Sequence, residues 1–206
     1  LSRPSHDADR HGIFRTVPLA HPQAADAWYK DRVIDVTVTG VTRNGVPEPF
    51  ESSTSGRERT IRIGDPDVTI SGLQTYHLTY EVEGGLTYYE DGAIDLYWNI
   101  TGDDWPVPIE RSTAIVSGPD NALLATSSCY LGVAGATERC RDIASAAGST
   151  TLAAGRIAPG EGFPIAQALN PAVIDRQVRE EWNLWWLWLS LGFVWLIGTG
   201  VYAYRH

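Results

Sequence analysis

Methionine is absent from the 206 residues, and lysine occurs once, at Lys30, beside fifteen arginines. A chain without Met does not begin at its translation start, so a processed or trimmed polypeptide is expected. The arginine skew reads as codon bias, as in a GC-rich bacterial genome. Positive charge is scarce: 16 Lys and Arg stand against 25 Asp and Glu, for a net charge of −9. Arg205 is the one charged residue after Glu181, so residues 1–181 carry −10. A phosphate binder needs a dense basic footprint, which excludes nucleic acid as a partner. Histidine is limited to His6, His11, His21, His77 and His206. No nucleophile elbow, zincin, P-loop or dinucleotide fingerprint occurs, so no catalytic residue is assigned and no enzyme activity is expected. At 43% hydrophobic and 20% charged, the chain is too apolar for disorder.

One long apolar run is present. Leu184 to Tyr204 holds 21 residues without a formal charge. At ~1.5 Å per residue a helix of this length reaches about 31 Å, the thickness of a bilayer's hydrocarbon core. Trp182, Trp185, Trp186 and Trp188 at one end and Tyr202 and Tyr204 at the other resemble the aromatic belts of membrane interfaces, and Trp195 lies on the same anchor helix between them. Interface anchoring accounts for the tryptophans more simply than a cofactor box, and no cofactor is expected. Gly192, Gly198 and Gly200 permit close helix packing without a GxxxG spacing. The bilayer, and other integral membrane proteins packed on this helix, are the expected partners. Positive-inside bias, resting on Arg205, places the N-terminal bulk outside the cytoplasm. Asn170 and Pro171 suit a helix start, so a juxtamembrane helix is expected over 170–183, leading into a span at 184–204 and a cytoplasmic end at 205–206.

Residues 31–169 alternate with period two. Tyr76, Leu78, Tyr80 and Val82 share one face, as do Ile34, Val36 and Val38, and Ile94, Leu96, Trp98 and Ile100. Shorter candidates are 59–63, 67–71, 109–116, 151–157 and 163–169. Turn chemistry at Asn44-Gly45, Gly64-Asp65-Pro66, Glu83-Gly84-Gly85, Asp91-Gly92 and Pro159-Gly160 separates them. The expectation is an all-β chain: an antiparallel β-sandwich ectodomain with a single C-terminal transmembrane helix. Residues 1–30 are poorly periodic and are expected to form an irregular arm. Cys129 and Cys140 bound a 12-residue stretch. Outside the cytoplasm they are expected to form a disulfide, worth about 3 kcal/mol in the chain-entropy model.

Three stretches resemble a family of bacterial predicted membrane proteins with an extracytoplasmic domain of unknown function 2207. They are His11-Gly-Ile-Phe-Arg-Thr-Val-Pro18; the run Tyr76 to Pro108 containing Leu96-Tyr-Trp-Asn-Ile-Thr-Gly102 and Trp105-Pro-Val-Pro108; and the Cys129–Cys140 loop followed by Ile157-Ala-Pro-Gly-Glu161. The resemblance implies an exported β domain tethered by a membrane helix, often with further spans downstream. It implies topology rather than an activity.

Several residues invite a sharper reading. His6, Asp9 and His11 could hold a metal, but a short terminal ligand set binds weakly and a solvated tail is expected. The acid pairs Asp65/Asp67, Glu90/Asp91 and Asp103/Asp104 fit ordinary turn chemistry better than calcium loops. Asn99-Ile-Thr101 matches a glycosylation sequon on an expected strand. Trp98 and Trp105 are read as core. His11, Phe14 and Arg15 are candidate interface residues. The expected function is an accessory or interaction subunit of a cell-envelope membrane complex. A ligand-sensing ectodomain is the first alternative and a metal-assisted envelope enzyme the second.

Overall fold

The computed structural model describes residues 10–22, 30–140, 142–146, 148–175 and 180–182. Among them the regular structure is all strand, with every pairing antiparallel. The all-β expectation holds for these residues.

The first pack of layers begins where an irregular arm was expected. Ile13–Pro18 forms strand β1 and Ala20–Pro22 forms β2. Ile13 and Val17 join two buried clusters, and Arg15 lies between them on the same phase. A charge at an inward position breaks the apolar alternation, which is why the strand does not stand out in the sequence. Lys30–Val33 is β3, Asp35–Arg43 is β4, Val46–Pro47 is β5, Phe50–Ser55 is β6, Glu58–Ile63 is β7 and Tyr76–Glu83 is β8. One sheet runs β1-β7-β6 and another β5-β4-β8. Ile61 and Ile63 of the first meet Val41 of the second, with Leu78 and Tyr76 packed alongside. Strand β8 alternates half-buried and exposed along its whole length, as its sequence demands. Strand β4 cannot do so unaided, because Gly40 falls on the apolar phase. A bulge between Val38 and Gly40 inserts one residue, so Val41 again opposes Leu78. Residues 67–71, a candidate strand, form none. Asp65 Oδ1 accepts from the Asp67 amide at 2.9 Å in a tight turn, and Ile70 makes a lone bridge to Arg10.

The second pack holds Leu86–Tyr88 (β9), Ile94–Asn99 (β10), Ser112–Ser117 (β11), Leu123–Leu131 (β12), Glu138–Arg139 (β13), Asp142–Ala146 (β14), Ser149–Ala154 (β15) and Pro164–Leu169 (β16). A five-stranded sheet runs β13-β12-β16-β10-β9 and a three-stranded one β11-β15-β14. Their facing sides bury Ala114, Val116, Leu152 and Ala154 against Cys129, Phe163 and Ile165. Cys129 and Cys140 are disulfide-bonded with Cα atoms 5.4 Å apart, a separation suited to a bridge. Trp98 ties the packs together: it lies against clusters of both, and its Nε1 donates to the Tyr80 hydroxyl at 3.3 Å.

The expected helix over 170–183 does not form in its described part. Asn170 Oδ1 does accept the Ala172 amide, and Asn170 O accepts the amides of Val173 and Ile174. That is a single turn. Ile174 then packs on Tyr88, Ile94 and Leu169, and Asp175 O accepts from the Tyr88 hydroxyl. Tertiary packing outweighs the local helix signal. Glu180–Trp182 becomes β17, paired with β3, so Trp182 lies on a strand rather than in a helix. The expected span at 184–204, with Trp185, Trp186, Trp188, Gly192, Trp195, Gly198, Gly200 and Tyr202, lies outside the described residues, as do His6 and Asp9. No helix among the described residues is long and apolar enough to cross a membrane.

Candidate functional site

Strand β1 is the outer strand of its sheet, and residues 101–107 run beside it. Between them lies a cleft of about 640 Å³. Its geometry starts with Gly12, whose φ of 145° is closed to other residues; a Cβ there would meet the Ile63 carbonyl oxygen at 1.8 Å. That close approach sets the register at which β1 enters, and with it the place of Phe14 and Arg15. Phe14 is 60% exposed at the cleft. Arg15 reaches across to the second pack, where its Nη2 donates to the Asn99 carbonyl at 2.6 Å. Its Nη1 is shielded from water and has no acceptor among the described residues. Gly102, at φ 75°, covers that atom; a Cβ would come within 2.7 Å of it.

Asn99 organises the opposite wall. Its Nδ2 donates to Asp103 Oδ1 at 2.7 Å, and its Oδ1 accepts the amides of Gly102 and Phe163. Thr101 Oγ1 accepts the Phe163 amide as well. The two polar residues of the apparent sequon are therefore engaged inside the protein. Trp105 is not in a core cluster, contrary to expectation. It lines the cleft, with Nε1 donating to Thr101 O and its carbonyl accepting the Gly160 amide. The three signature stretches thus meet: residues 11–18 on β1, residues 96–108 across the cleft, and Pro159-Gly160 behind Trp105.

The charge around the cleft reverses that of the chain. Among the described residues Arg10, His11, Arg15 and Arg62 line it, and Asp104 is the one carboxylate in the lining. His11 is exposed and its Nδ1 donates to Val68 O at 3.2 Å. Arg62 is the cross-strand neighbour of Phe14 and lies 3.8 Å from Glu51. On the other side of Arg15 a second cavity, about 660 Å³, is walled by Tyr97, Asp103, Tyr130 and residues 132–137. Burial, followed by Asp103 and Tyr130, raises the Tyr97 phenol above its ordinary value. The ring of His21 meets Tyr97 edge-on, with centroids 6.1 Å apart. Among the described residues no group of three or more His, Cys, Asp or Glu is placed to hold a metal. Of the candidate interface residues, His11, Phe14 and Arg15 all border the one cleft. Nothing in the sequence announced Asn99 and Gly102 as their counterparts beyond the signature itself.

Fold and cleft together define a layered antiparallel β protein whose signature residues line a cationic groove. Residues 5–167 match the N-terminal domain of the predicted membrane protein family DUF2207, and the chain belongs to that family. It is 30% identical over 105 residues to the uncharacterized protein YciQ of Escherichia coli strain K12, a stretch covering 50% of this chain and 16% of that one. The chain therefore spans a small part of the length of that relative. No solved structure matches. Membership in this family places the protein among membrane proteins.

Proposed function

We propose that this chain is a membrane-anchored extracytoplasmic β-sandwich protein that acts by binding, as a non-catalytic accessory subunit of a cell-envelope membrane protein complex. A single transmembrane helix at 184–204 holds it in the plasma membrane with its C-terminus in the cytoplasm. The observation that carries the reading is the convergence of the signature stretches on one cleft, whose lining joins cations to apolar walls. Such a lining suits recognition. Phe14, 60% exposed at the cleft, supports recognition there. The family's membrane character and the disulfide agree with an oxidising exterior. Purification from native membranes in mild detergent tests the proposal. A stoichiometric integral membrane partner is the expected result, and recovery as a lone monomer contradicts it.

The cleft also favours a second reading, a ligand-sensing ectodomain that signals across the membrane. The two part on where ligand acts: a sensor changes the state of a cytoplasmic effector when its cleft is filled, and an accessory subunit does not.

A further inference from the structure

We infer that the cleft along β1 binds a small organic anion, a single carboxylate or sulfonate carried on a flat apolar body. The inference rests on the reading of this chain as a binding protein and is independent of which membrane protein accompanies it. Charge is the first ground. The chain carries −9, yet among the described residues three arginines and a histidine line this cleft with one carboxylate, Asp104, while Glu51 pairs with Arg62 from beside it. A cleft with low-dielectric walls focuses such a field on its contents. Arg15 is the second ground. Its guanidinium has five N–H donors, and among the described residues it meets one acceptor, Asn99 O. Nη1 itself lies behind Gly102, and among the described residues no carboxylate pairs with Arg15, so an anion in the cleft would answer its charge from the side of the guanidinium that lines the cleft. Shape is the third. Phe14, Trp105 and Pro106 offer flat apolar faces, and about 640 Å³ suits a molecule of two or three rings. Bare phosphate would leave those faces wet. A neutral hydrocarbon would leave the arginines unanswered.

The full chain in lipid nanodiscs, with empty nanodiscs as the control for partitioning, is titrated with 2-naphthoate, neutral 2-naphthamide and inorganic phosphate. Binding is read by equilibrium dialysis. The acid binds at least about tenfold more tightly than the amide, the effect expected of one desolvated charge contact, and phosphate more weakly than the acid. Arg15→Gln abolishes the preference for acid over amide. Arg15 also bridges the two packs, so Phe14→Ala and Arg62→Gln, both at the rim, are measured alongside. Phe14→Ala weakens acid and amide alike, and Arg62→Gln weakens the acid alone. Equal binding of acid and amide, phosphate binding as tightly as naphthoate, or unchanged affinity in the rim variants overturns the inference. Failure here with a membrane partner still co-purifying leaves the proposed subunit role standing; the reverse result leaves the ligand site standing.

Discussion

Arg15 stands between Ile13 and Val17 on the inward phase of β1, and its fate explains much of the local structure. A guanidinium at such a place needs an acceptor and room, and Asn99 O and Gly102 supply them. The neighbouring Tyr97 gives the residue scale a measurable consequence. Its phenol is raised above 10.0 by burial first, then by Asp103 and Tyr130, and Tyr76 and Tyr89 are raised chiefly by burial too. The sign follows from linkage. Below the unfolded value both states hold the proton, so the stability is fully present. Above it the unfolded chain releases the proton that the fold retains, and stability is lost as pH rises through the folded value. Thermal melting from about pH 9 to 11.5 is therefore expected to show a falling midpoint above ~10. Tyr97→Phe makes that fall shallower, and an unaltered slope would contradict the assignment.

Strand β12 is the element that departs most from a regular ladder. Its pairing with β16 slips between Leu123 and Ser127, which frees carbonyls from the sheet. Gln167, fully buried on β16, reaches them: its Nε2 donates to Leu124 O at 2.8 Å and Thr126 O at 3.3 Å. Gln167→Leu keeps the bulk and leaves those carbonyls without the amide. An expected cost is about 2 kcal/mol, read from the denaturation midpoint, and no loss would show that water replaces the amide. Strands β4, β8 and β10 were legible in the sequence because their apolar residues keep period two, with Tyr76 through Val82 alternating as expected. Strands β6 and β14 were not, since every residue of each is exposed and no apolar face marks them. The region 170–175 carried a sound cap at Asn170, yet Ile174 found a tertiary partner and the helix stopped at one turn. At the cleft, His11, Phe14 and Arg15 were legible as a group. Asn99 was masked by its likeness to a sequon, and Trp105 by its likeness to core.

For the whole molecule, the two packs share Trp98, Tyr80 and the Arg15–Asn99 contact, so the cleft depends on both being folded. The Cys129–Cys140 bridge closes part of the second pack, with both cysteines buried. Under the proposed topology the bridge and the acidic bulk of residues 1–181 both lie in an oxidising compartment. The disulfide, the proposed anchor and the access of any ligand to the cleft all depend on that location. Leu73 is 96% exposed and far in sequence from both cysteines, so Leu73→Cys adds a thiol without disturbing the bridge. Intact spheroplasts carrying this variant are treated with a membrane-impermeant maleimide. Labelling before lysis, equal to that after lysis, is the result the account predicts; labelling that requires lysis would contradict it.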